Sequence, residues 1–262
     1  MRVSVLCCVL SLLPGAVAAQ TRPAAPPKNH VQVDFSLEDL SRNEKTQTQT
    51  TVTLTHGVSM RSQLFVVVDS HNRFDDPDTQ INAGINHVFG ARKVMVSASA
   101  GFGLDVQTIA TREFDVKAQV RVSEHLNPIA EVSYSTYRHD TDVAVLTLGG
   151  VLTWKALNAQ AGVQFTRASV GTINEEGLGL GVKSSLRLTP KVSLVAGGNV
   201  GSEHAIAKTI REAQRAIDAW SLTGGLQFTP HPNRSLTVSY MYQDRERFYT
   251  VKALVLSGAI GF

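Results

Sequence analysis

From about residue 30 to residue 262 the chain alternates apolar and polar residues in one segment after another, and this period of two constrains the fold more than any other feature. Such a repeat sends successive side chains to opposite faces of a β-strand. Phe114, Val116, Ala118, Val120 and Val122 alternate with Glu113, Asp115, Lys117, Gln119 and Arg121. Ala159, Ala161, Val163 and Phe165 alternate with Gln160, Gly162, Gln164 and Thr166. Leu178, Leu180, Val182, Leu186 and Leu188 share a face opposite Gly179, Gly181, Lys183, Ser185 and Arg187. Weaker copies cover residues 30–38, 46–58, 63–73, 79–89, 94–104, 128–138, 143–154, 192–202, 218–228, 234–243 and 250–262. The reading is all-β, with about fourteen strands and twelve as the alternative.

Hydropathy hides what such a chain can do. The mean hydropathy is −0.02, and beyond the N-terminus the longest apolar run is residues 64–68. A membrane helix needs about 20 consecutive apolar residues, so composition alone suggests a soluble protein. A closed barrel, however, pairs every backbone N–H and C=O between strands, and only one face of each strand then needs to be apolar.

A soluble sandwich or lipocalin-like barrel would alternate equally well, with its apolar face turned inward. The polar faces here carry charges in mid-strand, at Lys117, Arg121, Lys183 and Arg187 and at Glu113 and Asp115, which suits a wet lumen. Phe89, Trp154, Phe228 and Phe262 close alternating strands on their apolar faces, as an interfacial aromatic girdle does. A second set, Phe74, Phe102, Tyr137, Phe165, Trp220 and Tyr242, falls near the opposite strand ends. Short connections at 59–62, 90–93, 123–127, 155–158, 189–191 and 229–233 alternate with longer polar ones at 39–45, 74–78, 105–111, 139–142, 169–176, 202–216 and 244–249. Short periplasmic turns and long outer loops are the wiring of an outer-membrane barrel. The expectation is a single antiparallel up-and-down transmembrane barrel over residues 29–262. Phe262, with Ile260 and Leu256 on the same face, would serve as its terminal assembly signal.

Residues 1–19 set the compartment. Arg2, an apolar stretch and a small-residue ending at Ala19 form a secretory signal peptide, followed by a Pro/Ala-rich leader at 20–28. Cleavage after Ala19 removes both cysteines, Cys7 and Cys8, and lowers the formal net charge of +3 by one unit. The mature chain then has no disulfide, thiolate or Cys-based metal site. The expected location is the bacterial outer membrane, with no nucleic-acid partner.

Several stretches bear on a family. The run Val33-Asp34-Phe35-Ser36-Leu37-Glu38-Asp39-Leu40, the segment Asn72-Arg73-Phe74-Asp75-Asp76-Pro77-Asp78-Thr79-Gln80 and the closing Tyr240-Met241-Tyr242-Gln243-Asp244-Arg245-Glu246-Arg247-Phe248 resemble the YaiO family of outer-membrane β-barrels. Thr and Gln replace aromatic residues of that family at 46–51. The resemblance implies a barrel without an established activity. Some relatives are linked to surface polysaccharide, so a role in glycan export or surface assembly is the implied expectation.

No catalytic residue, cofactor or metal ligand is expected. Ser70-His71 with Asp75, Asp76 and Asp78, and His139 with Asp140 and Asp142, could pair a base with a carboxylate. Neither set has the spacing of a barrel phospholipase, lipid A deacylase or protease. The run 75–78 lacks the alternating ligands and Gly of a calcium loop and is better read as an Asx/Pro turn. Arg42, Lys45, Arg73, Arg112, Arg138, Arg167, Lys208, Arg211, Arg215, Arg245 and Arg247 fall at or above the expected outer rim, where Arg suits lipopolysaccharide phosphate, while Arg61, Arg92, Lys93, Lys191 and Arg234 on the short turns reduce the asymmetry. Ile206, Ile210, Ala213 and Ile217 give loop 202–216 the spacing of an amphipathic helix, expected at the barrel mouth. The expected partners are outer-membrane lipids and lipopolysaccharide, the barrel-assembly machinery, and a polysaccharide or small anionic solute. Lys117, Arg121, Lys183 and Arg187 would favour the anion, opposed by Glu113, Asp115 and Glu131.

Overall fold

A computed structural model describes residues 29–41, 46–73, 76–90, 93–104, 109–138, 141–171, 173–203, 217–245 and 249–262. The strands are β1 (Asn29–Leu40), β2 (Gln47–Gly57), β3 (Ser62–Arg73), β4 (Asp76–Phe89), β5 (Val94–Leu104), β6 (Arg112–Val120) and β7 (Leu126–Tyr137). They continue as β8 (Thr141–Trp154), β9 (Leu157–Val170), β10 (Ile173–Arg187), β11 (Val192–Glu203), β12 (Ile217–His231), β13 (Arg234–Arg245) and β14 (Tyr249–Gly261). Each pairs with its sequence neighbour, and β1 closes on β14. The result is a closed, antiparallel barrel of fourteen strands, and the twelve-strand alternative falls.

Closure runs the full length of the seam. Eleven residue pairs join β1 to β14, from His30 opposite Gly261 to Leu40 opposite Val251. Below them, Asn29 and Phe262 exchange backbone hydrogen bonds of 2.9 Å in both directions. The end holding these two residues is the lower rim here, periplasmic in the expected orientation.

Three lower turns share a local device. Ser59 Oγ accepts from the backbone N–H groups of Arg61 and Ser62. Ser123 Oγ does the same for His125 and Leu126, and Thr189 Oγ1 for Lys191 and Val192. A hydroxyl that satisfies the turn's own backbone fixes a tight reversal. Gly90, with φ of 51°, provides the left-handed residue of a fourth turn.

The two faces sort as alternation requires. Leu148, Leu178, Leu180, Leu222, Val116 and Leu256 are among many large apolar residues exposed on the outside. In water such a belt would be an aggregation surface; in a bilayer it is the lipid face. Phe89, Trp154, Phe228 and Phe262 are all exposed near the lower rim. Near the upper rim Phe102, Phe114, Tyr134, Phe165 and Trp220 are exposed, and Trp220 packs against Tyr242 with ring centroids 5.3 Å apart. Tyr137 departs from the expected girdle. It faces inward and is buried against Ala110, Val143 and Ala168.

Two upper connections are clearly shorter than expected. The loop expected at 169–176 is two residues long, because β10 starts at Ile173, which pairs with Val170. β4 likewise begins at Asp76, and Pro77 stands opposite Asn72 within the ladder, so the turn expected at 74–78 contracts to 74–75. Ladder hydrogen bonding carries these hairpins past the apolar belt, where alternation no longer marks them. Ala19, Phe74, Asp75, His139, Asp140 and the helix expected within 202–216 lie outside the described residues, except that Ile217 opens β12.

Candidate functional site

The lumen is built from the polar half of each strand. On β1 and β2, Asp34, Ser36, Glu38, Gln47, Gln49 and Thr51 all point inward and are buried. Asp69 on β3 gathers its neighbours. It accepts hydrogen bonds from Thr51 Oγ1 at 2.7 Å and from Gln49 Nε2 at 3.0 Å, and it pairs with His71 Nε2 at 2.5 Å. The strand spacing causes this convergence: Thr51 is the ladder partner of Asp69, Gln49 that of His71, and His71 lies two residues further along the same face.

Three strands on from Asp69, a second set of charges faces the lumen from β6. Gln80 on β4 reaches across β5 to donate to Glu113 Oε2 at 2.8 Å. Ser99 Oγ contacts Asp115 at 3.4 Å. Lys117 Nζ pairs with Glu131 Oε2 on β7 at 3.1 Å, their side chains 29% and 25% exposed. That residual exposure inside a closed barrel marks a wet interior at this level. Asp34 and Glu113 both lie within Coulombic reach of Asp69, and Lys183 on β10 within reach of Lys117 and Glu131. Five carboxylates and two amines thus share the middle of the lumen.

The six lumen residues singled out from sequence separate by depth. Asp115, Lys117 and Lys183 stand on the inner face within their strands, and Glu113 stands on it one residue from the upper end of β6. Arg121 lies just past β6, where its backbone N–H donates to Lys93 O in a lower turn at 2.6 Å, and its side chain is exposed. Arg187 ends β10, with its N–H on Ala156 O at 2.9 Å. Both guanidiniums therefore belong to the lower mouth. Leu256, Ile260 and Phe262 sit together on the outer face of β14. Asp34, Glu38, Asp69, His71 and Gln49 were missed as lumen groups. Their signal was present as the polar half of Asp34-Phe35-Ser36-Leu37-Glu38 and as Asp69 and His71 two apart.

A short segment narrows the upper mouth. Thr111 ties β5 to β7 above the end of β6: its carbonyl accepts from Gly103 N at 3.0 Å, while its N–H donates to Thr136 O at 2.7 Å. The preceding Ile109 and Ala110 are buried, and Ala110 packs with the inward-facing Tyr137, Val143 and Ala168. This apolar cluster sits inside a polar bore.

The geometry also bears on the acid–base pairs considered from sequence. Ser70 is exposed on the outer face, whereas His71 is buried on the inner one at 5% exposure, so the two act on opposite sides of the wall. Asp78 is fully buried inside, as the ladder partner of His71. Among the described residues, no group of three or more His, Cys, Asp or Glu side chains could hold a metal ion.

No protein-family model matches the chain, and no curated protein matches it. Among solved structures it is similar to the CymD monoaromatic hydrocarbon channel, with a TM-score of 0.61, 9% identity and coverage of 90% of this chain and 89% of that one. It is similar to a bacterial polysaccharide outer membrane secretin, with a TM-score of 0.58, 9% identity and coverage of 91% and 100%. It also resembles the translocator domain of autotransporter NalP from Neisseria meningitidis, with a TM-score of 0.52, 11% identity and coverage of 92% and 90%. These likenesses are of fold, and the fold of this chain is that of a bacterial outer-membrane β-barrel.

Proposed function

We propose that the chain is a narrow aqueous channel of the outer membrane that passes small polar solutes and prefers cations. The observation that carries this reading is the charge balance at mid-lumen. Asp34, Asp69, Glu113, Asp115 and Glu131 outnumber Lys117 and Lys183 there, and Lys117 is already paired with Glu131. The alternative expected from sequence, a preference for anions, draws on four basic residues, of which Arg121 and Arg187 lie at the lower mouth. Charged rings that line a bore set the sign of the ion it favours. Fourteen strands enclose more space than the eight whose interior side chains fill, and the Ala110–Tyr137 cluster reduces that space at the upper mouth.

YaiO-type membership, delivery by a leader cleaved after Ala19 and folding guided by Phe262, Ile260 and Leu256 belong to the same proposal. The surface-assembly role implied by the resemblance rests on sequence alone. The Asp69–His71 pair is read as a wall-bracing element without a catalytic task.

Purified protein in planar bilayers tests the channel. Discrete conductance steps are expected, with a reversal potential of cation-selective sign under a KCl gradient. Folded protein without conductance at any voltage overturns the reading. It would favour a structural barrel with a filled lumen, for which the buried polar sector of β1 and β2 is the supporting observation.

A further inference from the structure

Outside the lumen, the outer wall of β7–β10 carries a groove of about 380 Å³, lined by Val132, Ala144, Leu146, Phe165, Arg167 and Glu176 among others. The ladder explains its shape. On the outer face Ala144 stands between Tyr134 of β7 and Arg167 of β9, its partners on either side. A methyl between two long side chains leaves a depression. One step toward mid-barrel, Leu146 lies between Val132 and Phe165 and gives the depression an apolar floor.

The groove changes character along the strand direction. Toward mid-barrel it continues the lipid-facing belt. Toward the upper rim it meets exposed Arg167 and its ladder partner Glu176, with Arg112 and Arg138 exposed nearby and Asp142 facing outward between β7 and β9. Three guanidiniums thus accompany two carboxylates above an apolar trough. Guanidinium groups bind phosphate in bidentate fashion, and carboxylates accept hydrogen bonds from sugar hydroxyls. An apolar tail, a phosphate and a hydroxylated head together define one class of molecule.

We propose that this groove binds a phosphorylated glycolipid of the outer leaflet, with one acyl chain over Ala144, Leu146, Phe165 and Val132 and a phosphoryl group on Arg167. The proposal rests on the transmembrane barrel alone and is independent of conductance.

The test uses the purified barrel in detergent, titrated with diphosphoryl lipid A and read by native mass spectrometry. Arg167→Gln removes the phosphate contact, Ala144→Phe fills the trough and Ala144→Val fills it less. Arg234→Gln, at the lower rim, is the control, and heat-modifiable gel mobility confirms that each variant is folded. Arg167→Gln is expected to weaken lipid A retention about tenfold, the loss of one charge-assisted contact. Ala144→Phe should weaken it at least as much, Ala144→Val by less, and Arg234→Gln should leave it unchanged. Phosphatidylethanolamine should be retained at least tenfold less well. Three results would overturn the proposal: wild-type retention in folded Arg167→Gln and Ala144→Val, equal retention of the two lipids, or a dimer of the barrel that Ala144→Val abolishes.

Discussion

The Phe65 ring occupies the space that a side chain at Gly84 would need. The two are ladder partners on β3 and β4, and a Cβ added at Gly84 would collide with the ring and with the carbonyl of Ala98. The arrangement recurs on the inner wall. Asn82 covers its partner Gly101, and Asn199 covers its partner Gly181, where an added Cβ would lie 2.7 Å from the Asn199 carboxamide oxygen. A large inward side chain laid over a neighbouring glycine stays on the wall and leaves the bore free.

Gly84→Val should therefore destabilise the barrel by about 1–3 kcal/mol, the usual cost of overpacking. Phe65→Ala in the same chain should recover part of that loss, with a coupling of about 0.5–3 kcal/mol between sites in contact. Urea unfolding in lipid vesicles, followed by tryptophan fluorescence, measures both. Additive effects would show that Phe65 does not rest on Gly84.

The architecture was legible because lipid imposes a strict rule on one face. At Phe114–Val122 every second residue is apolar, at Leu178–Leu188 every second residue but Ser184 is, and these residues lie on the outside as alternation requires. Beyond the bilayer that rule lapses. Ile173-Asn174-Glu175-Glu176 has no alternation, so its pairing with β9 was invisible. Tyr137 looked like an interfacial aromatic because it ends a strand, yet its parity places it inside beside Ala110. The lumen was legible only in part. Asp34 and Asp69 are far apart in sequence, and only the register through Thr51 brings them to one level. Arg121 and Arg187 share a face with Lys117 and Lys183, and alternation reports the face of a residue without its depth.

Opposite tolerance is expected at adjacent residues of β8. Leu148 faces lipid in mid-strand, whereas Thr147 faces the lumen near Glu131. Leu148→Arg should cost about 2–4 kcal/mol at the bilayer midplane. Thr147→Arg meets a carboxylate and should fold like the parent chain. Yields of heat-modifiable protein after refolding into vesicles should fall for the first and hold for the second.

The leader gives a prediction readable by mass alone. Protein recovered from outer membranes should begin at Gln20, and it should take up no maleimide under denaturing conditions because Cys7 and Cys8 have left with the leader. Maleimide-labelled protein that still carries the mass of residues 1–19 would contradict cleavage after Ala19.

The upper mouth should widen when its apolar cluster is cut back. Tyr137 is the largest member and packs with Ala110, Val143 and Ala168. Tyr137→Ala removes most of that contact and should cost about 3–5 kcal/mol if no other group fills the void, as for a buried aromatic. Single-channel conductance should rise, with more frequent brief transitions as the segment before Thr111 loosens. An unchanged conductance in folded protein would place the narrowest point elsewhere.

The sign of ion selectivity follows from which mid-lumen charge is removed. Across a wet bore, one unit charge about 8 Å from a passing ion contributes about 0.5 kcal/mol, or roughly a two- to threefold change in relative permeability. Glu113→Gln with Asp115→Asn removes two acidic groups and should lower the cation-to-anion ratio. Lys117→Gln removes a positive charge and releases Glu131 from its 3.1 Å pairing, so the ratio should rise. Arg121→Gln, at the lower mouth, should alter it less than Lys117→Gln, because its exposed side chain is more strongly screened. Reversal potentials in a tenfold KCl gradient, repeated at high ionic strength where all these differences should shrink, give the measurement. A Lys117→Gln barrel that moved toward anions would show that Glu131 does not face the permeating ion.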